Sequence, residues 1–280
     1  MSRIAIVTDS SAYLPADLVA RYGIHVMPLK VAFGQTVYRD CVDITEEEFY
    51  HKLAQAKELP ITSQPSAGEF LAFYQEVARQ SQGIVSIHLS GALSGTYNSA
   101  MAARHMLPDV PIEVIDSHSA SMGQGFLALA AARAAAEGQS LAEIAAWTGD
   151  LVPRLNVIFV LDTLKYLQKG GRIGGAQALM GSMLAIKPLL HLHEGRVEPL
   201  EKVRSKGKAV QRLVEIMAER LQGRPAHIAI LHSAIPQEAE ALRAEIAARF
   251  PCRELLLCGV SPVIGTHTGP GCLGLAFYAD

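Results

Sequence analysis

The chain has 280 residues, enough for one large domain or two modest ones. Half of it is hydrophobic but only 6% is aromatic, and a formal net charge of −2 supplies no field to recruit nucleic acid. The four cysteines (Cys41, Cys252, Cys258, Cys272) lack CxxC spacing, and no stretch reaches the roughly 18 uninterrupted apolar residues of a membrane span. The expectation is a soluble cytoplasmic protein with free thiols, with no zinc knuckle and no disulfide frame.

In chain order, IAIVTD (4–9) reads as a short buried strand that leads into LPADLVARYG, where Pro15 suits a first helical turn and Gly23 a C-terminal cap. IHVMPLKVAF (24–33) reads as one extended run. Three later helices announce their starts with a hydroxyl and a glutamate three residues on: Thr45 and Glu48, Ser66 and Glu69, Ser140 and Glu143. Between them lie GIVSIHLS and PIEVIDS, short, apolar and β-branched. This βαβ rhythm predicts a parallel sheet flanked by helices through about residue 155. Beyond it, NVIFVLD (156–162) is a strand, and IKPLLHLHEGRVEPLEKVRS is two extended runs joined at Glu194-Gly195, a hairpin and hence antiparallel. KAVQRLVEIMAERLQ and QEAEALRAEIAARF are helices flanking HIAILHS, and CRELLLCGV and LGLAFYAD are closing strands. The expected fold class is therefore α/β in two domains: 1–155 with a mainly parallel sheet, and 156–280 with a mixed sheet.

Six hydroxyl- or glycine-rich segments fall at predicted strand ends: TDSS (8–11), TSQPS (62–66), SGALSGTYNS (90–99), DSHSASMGQG (116–125), KGGRIGG (169–175) and GTHTGPG (265–271). The carboxyl ends of parallel strands share one edge, so most of these can line a single cleft. SGALSGTYNSA in particular places small residues and hydroxyls between a strand and a helix N-terminus, a setting that suits an anion. Each segment also has a plain reading as a turn or a cap, and Arg172 as a surface arginine. Gly91-Ala92-Leu93-Ser94-Gly95 lacks the spacing of a nucleophile elbow, no Walker A loop occurs, and no dinucleotide fingerprint follows the first strand. The ten histidines show no metal-ligand spacing. Pieces of an anion site without nucleophile, metal or nucleotide cradle point to binding.

TDSSAYLP, TSQPS, SGALSGTYNSA, VIDSHSASMGQG, LDTLKYLQKGGRIGG, IKPLLHLHEGRVEPLEKVRSKGKA and GTHTGPGCLGL, in this order along the whole chain, resemble the DegV family. The resemblance implies a two-domain α/β fold with a long-chain fatty acid between the domains. It also implies the non-catalytic, acyl-binding subunit of a bacterial fatty acid kinase, which presents the acid to an ATP-dependent kinase subunit for acyl phosphate formation. Carried over, Thr62 and Ser94 match carboxylate-contacting hydroxyls, and Arg172 and His267 match basic residues of the same polar site. No cofactor is implied besides the bound acid, and ALMGSMLAI (178–186) fits a tunnel wall as well as a plain core. The alternatives are a lipid sensor or delivery protein without a kinase partner, and a stand-alone phosphotransferase or hydrolase using Ser94 and His267. Between Lys165 and Arg212 ten lysines and arginines face three glutamates. That excess is either a solvated surface or a contact with a membrane or an acidic partner.

Overall fold

The computed structural model describes residues 4–182 and 187–279. The first strand β1 (Ile4–Asp9) leads to α1 (Ala16–Tyr22), with Pro15 just before the first turn and Gly23 closing the last at φ 61°. The run from 24 to 33 is not one strand. It breaks at Pro28-Leu29 into β2 (His25–Met27) and β3 (Lys30–Phe33), which enter different sheets. Proline has no N–H to donate to a ladder, so a break there costs the sheet little. β3 turns at Gly34 (φ 59°) into β4 (Thr36–Arg39). After α2 (Glu46–Gln55), the strand β5 (Ile61–Ser63) returns to the other side of β3, so β4-β3-β5 is a small antiparallel sheet.

The chain then resumes the expected rhythm with α3 (Ala67–Ala78), β6 (Gly83–His88), α4 (Thr96–His105) and β7 (Ile112–Asp116). Strands β2-β1-β6-β7 form a parallel sheet in that order. All six residues of β6 are buried, as expected for a central parallel strand covered on both faces. The capping boxes at Thr45, Ser66 and Ser140 are all formed, the last opening α6 (Leu141–Leu151).

Between β7 and α6 runs α5 (Met122–Ala136), with thirteen of its fifteen residues buried. A helix apolar on every side has to be enclosed on every side. α5 packs on β1 and β6 with one face and reaches β13 (Leu273–Ala279) with the other, where Phe126 meets Tyr278 edge-on at 5.5 Å. Its alanines let both layers come close.

The rest of the chain builds a six-stranded mixed sheet. It comprises β8 (Asn156–Val160), β9 (Lys187–His193), β10 (Arg196–Val203), β11 (Ala226–His232), β12 (Cys252–Gly259) and β13, in the order β10-β9-β8-β13-β11-β12. Only β11 and β12 run parallel. The β9–β10 hairpin turns at Glu194 (φ 47°) and Gly195 (φ 76°), the paired positive φ of a type I′ turn. Between β8 and β9 lie α7 (Lys165–Lys169) and a 3₁₀ segment (Gly174–Ser182); residues 183–186 of the expected tunnel-wall run fall outside the described residues. The helices α8 (Lys206–Leu221) and α9 (Pro236–Arg249) pack on this sheet, and the short α10 (Pro262–Thr268) follows β12. One buried apolar cluster runs from Ile4 and Ile6 through α5 to Val157, Phe159 and Tyr278, so the sheets share a core.

Candidate functional site

A cavity, part of it open to solvent, lies between the strand-end loops of the parallel sheet and the inner face of the mixed sheet. Its walls are mostly aliphatic: Leu29 and Leu89 on one side, Val157, Phe159, Leu192, Val197 and Leu231 on the other. Five of the six hydroxyl- or glycine-rich segments contribute to it, among them Thr62, Ser94, Ser121, Arg172 and His267.

The sixth, TDSS, does not. Thr8, Asp9, Ser10 and Ser11 are buried in a hydrogen-bond network beneath the parallel sheet's edge. Asp9 accepts from the Leu89 amide (3.1 Å) and pairs with His88 Nδ1 (2.9 Å), while His88 Nε2 meets Ser86 Oγ at 2.7 Å. Gln124 of α5 ties in Thr8 and Ser11, both at 2.9 Å. These contacts lock β1, β6 and α5 together, and Thr8, Asp9 and Ser10 border a separate hollow beside Tyr13 and Asp40 rather than this cavity. Ser10 donates to Asp40 (2.7 Å), whose carboxyl is lifted by burial to about 7.

The four residues expected at the site gather at one polar corner of the cavity. Thr62 points inward because Ile61 and Thr62 occupy opposite faces of β5; Thr62 stands beside buried Val31, and Ile61 faces water. Its Oγ1 lies 2.9 Å from His267 Nε2, across 205 positions of sequence. His267 is not the cation its residue type suggested. Burial, and then the Arg172 charge, lower its pKa to about 4, so the ring is neutral at physiological pH. His267 Nδ1 is buried with no hydrogen-bond partner, and a Cβ on Gly170 would stand 2.1 Å from it. An unpaired acceptor is cheaper to bury than an unpaired N–H, so the proton belongs on Nε2. Thr62 then accepts from the ring, and its own hydroxyl hydrogen is free for an anion.

Arg172 supplies the charge. Its Nε donates to the Leu93 carbonyl (3.0 Å) and one terminal nitrogen to the Gly170 carbonyl (2.7 Å), which fixes the fork and leaves donors over. Ser94 precedes α4 and shares a hydrogen bond with the buried Thr96 hydroxyl at 2.9 Å. Gln64, which the sequence reading passed over, also lines the corner, and Gly95 is small enough to let it lie there. Next to the same corner is a second hollow, which shares Thr62, Arg172 and His267 with it and is lined further by Lys57, Lys169 and one acid, Glu58. The polar corner thus borders both the apolar cavity and a mainly basic hollow.

Among the described residues, no group of three or more His, Cys, Asp or Glu is placed to hold a metal ion, and no helix is long and apolar enough to cross a membrane. The basic stretch is partly neutralised within the chain. Lys206 pairs with Asp162 and Glu238, and Arg212 with Glu201, Glu215 and Glu219.

Fold and cavity together define an α/β protein that encloses a largely aliphatic ligand space with one polar, singly cationic corner. The chain belongs to the DegV family, whose family model, described as "uncharacterised protein, DegV family", matches residues 3–280. It is 46% identical to a DegV domain-containing protein of Streptomyces coelicolor, over 98% of each chain. A Thermus thermophilus structure described as fatty acid binding of a DegV family protein is 38% identical, with a TM-score of 0.94 over 99% of this chain and 100% of that one. The Bacillus subtilis DegV structure, described as a fatty acid binding protein, is 36% identical, with a TM-score of 0.93 over the whole of both chains.

Proposed function

We propose that the protein binds a long-chain fatty acid, with its carboxylate at Thr62, Ser94 and Arg172 and its tail in the cavity. The reading adds that it presents this head group to an ATP-dependent kinase subunit for acyl phosphate formation. One observation carries the binding: a single polar corner with one cation closes an otherwise aliphatic cavity, the complement of an amphiphilic anion. The relatives described as fatty acid binding support it.

The energetics divide the work. A sixteen-carbon tail contributes roughly 10 kcal/mol gross, at about 0.8 kcal/mol per buried methylene. A hydrogen bond to a charged group contributes about 1.5–3 kcal/mol. Tail burial therefore sets affinity, and the corner sets which end of the ligand faces out. Presentation to a partner rests on the family resemblance and on the hollow with Lys57 and Lys169 next to the corner, where positive charge suits a phosphate donor. In this reading the protein itself performs no chemistry: His267, held neutral with its proton on Nε2, donates to Thr62 and positions it rather than taking a proton from its hydroxyl. Of the basic stretch, the exposed Lys202 and Arg204, unlike the ion-paired Lys206 and Arg212, are in this reading placed to meet an anionic membrane.

Native mass spectrometry of the purified protein, followed by organic extraction, tests the binding. The expected result is a stoichiometric acyl chain, and a protein that is empty and takes up no added fatty acid overturns the reading. Thr62→Val with Ser94→Ala should weaken binding about ten-fold or more and reduce kinase-coupled phosphorylation further, since the remaining contacts leave the head group misplaced.

A further inference from the structure

Within the aliphatic part of the cavity one hydroxyl is out of keeping. Ser121 lines the cavity, is only 4% exposed, and its Oγ has no hydrogen-bond partner. It occupies the N-cap of α5, where a serine ordinarily bonds the helix's first amides, yet it makes no such bond. The backbone explains why. Gly123 N donates to Ala120 O (3.2 Å), which closes a tight turn with Ser121 at φ 52°, ψ −143°. This conformation aims the side chain away from the helix end.

Ser121 stands on the α5 side of the cavity: the first turn of α5 lies against Val157 of β8, as the 2.6 Å approach of a Cβ on Gly123 to Val157 records, and Val157 lines the cavity too. Thr62 and His267 hold its polar corner instead. An acyl chain that is anchored at Thr62 and Arg172 and fills the cavity passes Ser121. There it meets a donor hydroxyl and the positive end of a fifteen-residue helix, both of which favour an electron-rich oxygen.

We propose that Ser121 is a specificity-determining residue for acyl chains that carry an oxygen function, a hydroxyl or a keto group, along the chain. This rests on the fatty-acid reading above and names the class of acid within it. A plain alkyl chain leaves the Ser121 hydroxyl buried and unpaired. An in-chain oxygen pairs with it and is itself paired, and that double satisfaction is what discriminates between ligands differing by one polar group.

The test is competition for the delipidated full-length protein between stearic acid and its in-chain hydroxy derivatives, read by native mass spectrometry. Ser121→Gly is the variant of choice, because glycine accepts the positive φ and removes the hydroxyl together with its Cβ. Ser121→Ala repeats the test with a Cβ in place. The wild type is expected to prefer at least one hydroxy acid, and both variants should lose about ten-fold of that preference. An equal hydroxy-to-stearic ratio in wild type and variants overturns the assignment of Ser121 alone. Failure of the wild type to bind either acid overturns the fatty-acid reading and this assignment with it.

Discussion

At the scale of single residues, the site depends on a histidine that is kept uncharged. Glycine at 170 lets the ring of His267 sit in its place, so Gly170→Ala should push the ring off Thr62 and weaken fatty acid binding about as much as losing the threonine's hydrogen bond would. Titration of retained fatty acid checks it, and wild-type affinity in this variant would deny His267 any positioning role. The lowered pKa of His267 has a second consequence. Between its folded value of about 4 and the ordinary 6.5, the unfolded chain holds a proton that the fold does not. The stability this group contributes is intact above pH 6.5 and is lost as pH falls toward 4, by up to about 3 kcal/mol. Asp40, raised by burial from 3.8 to about 7, acts in the opposite sense, since its folded form keeps a proton and the associated stability fades as pH rises toward 7. The two partly cancel in the wild type, so the informative quantity is the stability difference between wild type and His267→Gln. Urea midpoints should show that difference shifting against the wild type on going from pH 7 to about pH 4.5; a pH-independent difference contradicts a neutral buried ring.

Among the elements, α5 decides whether the layers can meet at all. Gly123 lies close against β8: a Cβ there would lie 2.0 Å from Ser119 Oγ and 2.6 Å from Val157. Gly123→Ala should therefore destabilise by about 1–3 kcal/mol through overpacking, although alanine is the better helix former by about 1 kcal/mol. Gly149, in α6, has nothing within 4 Å of its Cβ position, so Gly149→Ala should be neutral or mildly stabilising by the same propensity. Denaturant midpoints of the two variants separate packing from propensity, and equal effects would mean that α5 is not tightly held. This helix is also where sequence reasoning ran short. Capping boxes and the Glu194-Gly195 turn are local chemistry, and each forms where its residues stand. The apolar run of α5 has no polar face to give it a period, so it was legible only as the loop that precedes it. The β3–β5 pairing joins Lys30 to Ser63, which no local pattern encodes, whereas the break at Pro28 and the turn at Gly34 are local signals that the extended run concealed. At the site, Thr62, Ser94, Arg172 and His267 were named through family resemblance, and the cavity brings them together. Ser121 and Gln64 were missed because an unpaired hydroxyl, or an amide lying over a glycine, exists only once the chain has folded.

For the molecule as a whole, the question is whether its two halves are separate units. We propose that residues 1–155 and 156–280 act as two lobes that fold and unfold together. The supporting observation is that α5, from the first half, buries Phe126 against Tyr278 and pairs Arg133 with Glu254 at 2.7 Å, both partners lying in the second. The cavity repeats this at the ligand, since Thr62 and Ser94 come from one half and Arg172 and His267 from the other. Cutting the chain at 155 would bare the side of α5 that buries Phe126 and would leave Arg133 without Glu254, so a 1–155 fragment should aggregate or stay unfolded. The intact delipidated protein should melt in a single transition. Fatty acid at a hundred times its dissociation constant adds about 2.7 kcal/mol, and in a chain of this size each kcal/mol moves the midpoint by roughly 2–4 °C. Calorimetry should then record the one transition moving upward by about 5 °C or more on loading. Two resolved transitions, of which the ligand moves only one, would show that the lobes are independent and that one of them holds the ligand by itself.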